Sequence, residues 1–177
     1  MEIPFGYDRV MNEKKHDHET LDLPPQPGTY ALLLEATAMQ EVPIGKLGVL
    51  HMLPGIYVYV GSALGPGGLA ARIDRHALRE KMPHWHIDYL RAETRLLAVW
   101  YARGANRREC RWSHILERAA KSQISLGRFG ASDCRCRSHL HYFANLRAAE
   151  AVRPQLKCRA IAADRQPSRP PRGGFPF

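Results

Sequence analysis

Hydrophobic positions along the chain fall into short runs between Pro-Gly turns, then into longer stretches with a helical period. TYALLLEA (29 to 36) follows one Pro-Gly pair, KLGVLHML (46 to 53) is joined by another to IYVYVG (56 to 61), and RLLAVWYA covers 95 to 102. Apolar runs of this length bounded by turn residues predict strands. The first three read as an antiparallel meander, and the fourth brings the sheet to about four strands, antiparallel or mixed. LAARIDRHALREK (69 to 81) carries a stripe of Leu69, Ile73 and Ala77, and 107 to 122 places Trp112, Ile115, Leu116 and Ala119 on one face, with Asn106 as its cap. Both spacings predict helices, and a shorter one is expected over 84 to 92 with Pro83 near its first turn. The expected fold class is α+β: one small sheet with helices packed against it.

The termini lack any period. Residues 1 to 27 are polar and end in LPPQP, which reads as a flexible leader, and 147 to 177 scatter five prolines among arginines, which reads as a disordered basic tail. The folded domain is therefore expected over 28 to 146. No apolar run approaches the ~20 residues of a membrane span, and the N-terminus has neither a signal nor a transit pattern, so no membrane association and a cytoplasmic location are expected.

Charge adds a partner. The chain carries 26 Lys and Arg against 17 Asp and Glu, net +9. The leader holds −3 and the tail +5, which leaves +7 in the middle. Clustered cations gain free energy by releasing counterions from phosphates, so DNA or another nucleic acid is the expected partner, against the plainer reading of a basic face that binds nothing. The four cysteines are too few and too unevenly spaced for a disulfide framework.

Candidate chemistry begins at IYVYVG. Alternation along a strand puts Tyr57 and Tyr59 on one face and Ile56, Val58 and Val60 on the other. Arg72 and His76 stand four apart on the following helix and share a face. A guanidinium fork suits the two non-bridging oxygens of a phosphodiester, although either residue taken singly also reads as a solvated helix face. Arg75, Arg79 and Lys81 are further candidate nucleic-acid contacts. SALGPGG (62 to 68) lacks the Lys-Ser/Thr ending of a nucleotide-binding loop and reads as a turn. Asp133, Cys134, Cys136 and His139 form a Cys-x-Cys-x2-His set, but only one knuckle is visible, so buried structural cysteines are expected in preference to zinc. His84, His86 and Asp88 read as helix-start hydrogen bonding around Trp85 rather than as metal ligands.

Taken together, Tyr59-Val60-Gly61-Ser62, Leu69 to His76 and Glu109 resemble the GIY-YIG nuclease superfamily. GTYALLL, GIYVYVGSALG, HWHIDYL and SDCRCRSHL resemble more narrowly its small stand-alone Uri-type branch, over about residues 28 to 143. Gly55-Ile56-Tyr57 spells the family's first element but shares a strand with Tyr59. In that family the two tyrosines converge from neighbouring strands, so Gly28-Thr29-Tyr30 is the match and the strand 46 to 53 is an insertion. The resemblance implies Mg²⁺ or Mn²⁺ on Glu109, Tyr30 with its pKa lowered by the cation and nearby arginine activating water with help from Tyr59, Arg72 stabilising the phosphorane, and His76 relaying a proton or orienting a tyrosine. A late asparagine has no clear match, Asn145 and Ser138 being the candidates. The expected function is a metal-dependent DNA endonuclease of repair or processing. The alternative is a non-catalytic nucleic-acid-binding adaptor on the same fold.

Overall fold

The computed structural model describes residues 21–78, 81–119 and 121–163. Its centre is β1 (Gly28–Ala36), which pairs antiparallel with β4 (Gly55–Ala63) on one side and β5 (Arg95–Arg103) on the other. Because β1 has neighbours on both edges and helices over both faces, almost every residue of GTYALLLEA is buried. That explains a continuous apolar run where a one-sided sheet would alternate. The sheet continues through β7 (Leu140–Phe143) and β6 (Ser122–Ile124) beyond β4, and through β8 (Arg159–Ala162) beyond β5, in the order β6-β7-β4-β1-β5-β8. Every pairing is antiparallel, so the α+β class holds with six strands in place of about four.

Strand alternation sorts the core in two. Tyr30, Leu32, Leu34, Tyr57 and Tyr59 face α1 (Gly68–Ala77) and α2 (His86–Glu93), which contribute Leu69, Ile73, Ile87 and Leu90. Ala31, Leu33, Ile56, Val58 and Val60 face α3 (Glu109–Arg118) with its Trp112 and Leu116, then α4 (Leu146–Glu150) and α5 (Arg153–Leu156). The division of IYVYVG between two faces is as expected, but both faces are buried.

Several expectations are corrected. The meander does not form: 46 to 53 contributes β3 (Val49–Met52), which pairs only with β2 (Gln40–Pro43) in a separate two-stranded sheet. β4 thus reaches β1 directly. Asn106 does not cap α3, whose N-cap is Arg108, and Pro83 precedes the N-cap of α2, Trp85. The tail expected from 147 is folded as far as 163: α4, α5 and β8 pack here, and Val152 and Leu156 are buried. The end of the leader belongs to the fold as well, since Leu23 is buried and the Pro24 and Gln26 carbonyls accept from the first turn of α1, at Ala70 N and Leu69 N. These carbonyls satisfy donors that a helix start leaves open. Residues 1 to 20 of the leader and 164 to 177 of the tail lie outside the described residues. No described helix is long and apolar enough to cross a membrane.

Candidate active site

β1 and β4 bring their tyrosines together because the register sets Tyr30 opposite Gly61 and Leu32 opposite Tyr59. The two phenol rings lie 6.5 Å apart, centre to centre. Gly61 is required by this crossing: a Cβ there would run into the Tyr30 phenol. Gly130 plays the same part for Tyr59, since a Cβ on it would come within 2.7 Å of that ring, and its φ of +67° already favours glycine.

Helix α1 delivers the next two groups. His76 Nε2 lies 2.7 Å from the Tyr30 hydroxyl, and both are buried. The end of α1 is clamped by the buried Arg91, which donates to the His76 carbonyl at 2.8 Å and to Thr94 O at 2.7 Å. Arg72, one turn back, lays its guanidinium 4.4 Å over the Trp85 ring, and Arg75 approaches the same ring at 4.6 Å. Stacking on indole holds an arginine in place without neutralising it. Trp85 is in turn fixed by Asp88, whose Oδ2 accepts from the backbone N–H groups of His84 and Trp85, each at 3.0 Å. The helix-start reading of HWHID is thereby borne out.

Glu109 arrives from the opposite face of the sheet, at the first residue of α3. Thr29 is the link: its Oγ1 accepts from Arg108 N at 3.2 Å, so adjacent residues of β1 hold the start of α3 and present Tyr30 to the cleft. Glu109 is buried; Oε1 pairs with Arg107 Nε at 2.9 Å, while Oε2 is buried with no hydrogen-bond partner. Arg107 also bridges to Asp133 at 3.0 Å. Tyr30, Tyr59, Arg72, His76 and Glu109 all line one cavity of about 350 Å³, with Gly61, Trp85, Arg107, Asp133 and His139 in its wall.

Electrostatics bear on the arginine's share of the lowering expected at Tyr30. Burial pushes the Tyr30 hydroxyl well above its ordinary pKa, and the neighbouring Tyr59 adds to this while Arg72 opposes it without prevailing. Tyr59 is raised too, by burial against the same arginine. The expected lowering of Tyr30 is thus not supplied by the protein's own charges. Burial, with Lys81 nearby, takes His76 down to about 3, so its imidazole is neutral.

The basic contacts fare unevenly. Arg75 and Lys81 are paired with Asp88, at 3.2 and 2.9 Å, and the Lys81 side chain is 7% exposed. The Lys81 ammonium is therefore already paired within the fold. Arg79 lies outside the described residues. Asn145 caps α4, with Oδ1 accepting from Ala148 N at 2.9 Å, and Ser138 is buried among backbone groups; neither lines the cavity. Trp85, Arg107 and Thr29 escaped the sequence reading as site residues. Thr29 lay in plain view beside Tyr30, but its partner is 79 residues away.

The single cysteine knuckle gains a partner. Cys110, next to Glu109 on α3, joins Cys134, Cys136 and His139, and one ligand atom from each lies within 4.8 Å of all the others. The four form a group able to hold a metal ion, and the expectation of plain buried cysteines missed Cys110, which lies 24 residues upstream of the knuckle.

The model of a family described as "Domain of unknown function DUF123" matches residues 29–159, which contain every one of these side chains. The chain belongs to the DUF123 family. No curated protein matches it, and no solved structure does. The DUF123 match runs from the strand bearing Tyr30 through the start of β8, so it covers β1, β4, α1 and α3 in one unit.

Proposed function

We propose that this protein is a metal-dependent nuclease that hydrolyses phosphodiester bonds in DNA. The observation that carries the reading is the convergence, in one cleft, of the Tyr30–His76 hydrogen-bonded pair, the Arg72 fork and a buried carboxylate oxygen of Glu109 with no partner. An unmet buried carboxylate oxygen costs free energy that a cation would recover. The residues present therefore fit a hard divalent ion, with Glu109 holding it and Asp133 nearby. Mg²⁺ or Mn²⁺ there would neutralise phosphate charge and assist the leaving oxygen.

The chain's own groups divide the remaining work. Arg72, held on Trp85 and always charged, offers two parallel donors to the phosphate. A water attacks phosphorus as the bond to the leaving oxygen breaks. Because Tyr30 is neutral and His76 Nε2 is at hydrogen-bond distance, the water's proton passes to the phenol oxygen as the phenol passes its own to the imidazole. The anionic substrate favours the resulting imidazolium, and the leaving alkoxide takes a proton from solvent. A relay of this kind needs no resting phenolate, which burial disfavours.

The test is a panel of duplex, nicked, flapped and single-stranded DNA, with RNA beside it, assayed with Mg²⁺, Mn²⁺ and EDTA. Nicking that requires the metal and falls at least ~100-fold in Glu109→Ala, with DNA affinity little changed, is expected. Binding without cleavage across the whole panel would favour an adaptor. Full activity in Glu109→Ala would overturn the assignment of the metal ligand.

A further inference from the structure

We propose that Cys110, Cys134, Cys136 and His139 form a zinc site that fastens the segment 129–139 to the start of α3. The quartet shares no ligand with the divalent-cation position at Glu109, and the inference stands whether or not the protein is a nuclease.

Four donors set the chemistry. Three thiols and one imidazole, with ligand atoms all within 4.8 Å, are a soft set of the number a tetrahedral structural zinc takes. Bonds of ~2.3 Å to sulfur and ~2.0 Å to nitrogen make a tetrahedron with edges of about 3.5–3.8 Å. The Cys134 Sγ to His139 Nε2 separation of 3.4 Å is already of that size. Hard cations such as Mg²⁺ have no oxygen ligand in the quartet and are excluded by donor type. With all four positions taken by protein, no site remains open for water, so the role is structural.

The backbone around the quartet is arranged to present it. Arg128 donates to the carbonyls of Cys134 at 2.8 Å and Cys136 at 3.1 Å, which closes the knuckle. His139 N donates to Phe129 O at 2.8 Å, and Val60 N donates to His139 O at 2.9 Å. The knuckle is thus tied to β4 one residue from Tyr59. On α3, successive side chains diverge by ~100°, so Glu109 enters the cleft while Cys110 turns to the knuckle. An ion bound by Cys110 and the knuckle would hold Glu109 and Gly130, the glycine beneath Tyr59, at one fixed separation. Zinc would then support the cleft from behind.

The test uses the full chain, purified under reducing conditions and dialysed against EDTA to strip weakly held ions. One zinc per chain is expected to remain, and to be released by an organomercurial reagent as the thiols react. Cys110→Ser is expected to retain less than a tenth of that zinc. Cys158→Ser, whose sulfur lies against the Arg153 carbonyl, and Glu109→Ala are expected to keep it in full. The wild-type chain refolded with cobalt should show the intense thiolate charge-transfer and ligand-field bands of tetrahedral Co²⁺, lost when zinc is added, a readout that holds even if Cys110→Ser does not fold. A folded wild-type chain whose quartet thiols titrate freely after incubation with zinc would overturn the proposal. So would a disulfide among the three cysteines, or iron with cluster absorption in place of zinc.

Discussion

At the scale of single residues, the cleft turns on two groups that burial keeps uncharged. Tyr30→Phe removes the hydroxyl that pairs with His76 and through which the proposed relay runs, and it leaves the ring, so packing is kept. We expect cleavage to fall ~100-fold or more while duplex affinity stays within ~3-fold, as read by single-turnover kinetics beside a binding titration. His76 also makes stability depend on pH. Its folded-state pKa of about 3 lies below the ordinary 6.5, so the unfolded chain binds the proton more readily. The penalty is absent above pH ~6.5 and grows as pH falls from there toward 3, with a slope of up to ~1.4 kcal/mol per unit. Urea unfolding at a series of pH values should show that slope shrink in His76→Asn. Equal slopes in the two proteins would mean that His76 is not buried and neutral. Tyr59 and Arg72 were legible because each stands in a local motif, whereas Glu109 was reached only through the family resemblance. Arg107 and Cys110 were not, because their roles come from partners 26 and at least 24 residues away, Asp133 and the knuckle cysteines.

At the scale of elements, the site depends on how closely β1 and β4 approach. Gly61→Ala pushes a methyl group into the Tyr30 phenol from the partner strand, and neither strand has room to yield because β5 and β7 flank the pair. Overpacking of this kind costs about 1–3 kcal/mol. We expect that loss in denaturant midpoint together with a larger loss of activity, since Tyr30 moves off His76. Thr29→Val gives a complementary outcome. It leaves the strand intact but strands the Arg108 N–H, with about 1 kcal/mol of destabilisation expected and Glu109 displaced. Apolar period sufficed to find β1, β4, β5 and α3, since each buries a stripe or run. It failed for 46 to 53, whose alternating burial suits any sheet edge, and β3 took β2 as partner because β5 already occupied the free edge of β1. Which edge a short strand joins is decided by competition that the run itself does not record.

At the scale of the whole molecule, the boundary of the domain is a claim that a pair of truncations can decide. A basic, proline-bearing composition from 147 onward argued for an unstructured tail, but the composition hides Ala149, Val152 and Leu156, which close the core beneath α3, and β8, which covers the outer edge of β5. The register sets Ala160 opposite Trp100 and Ile161 opposite Val99, and Ala163 N donates to Leu97 O at 2.9 Å. The last contact of the described fold is therefore at 163, four residues past the end of the family match at 159. A chain ending at Ala163 should melt within about 2 °C of the full protein while losing Arg165, Arg169 and Arg172 from its charge. A chain ending at Cys158 lacks β8, so it forfeits several ladder hydrogen bonds at ~1 kcal/mol each and the packing of Ile161. For a domain of this size each kcal/mol is worth ~2–4 °C, so its melting temperature should fall by at least ~5 °C. Its bared β5 edge should also make it prone to self-association, visible by light scattering. Equal melting of the two truncated chains would place the boundary before β8, after α5.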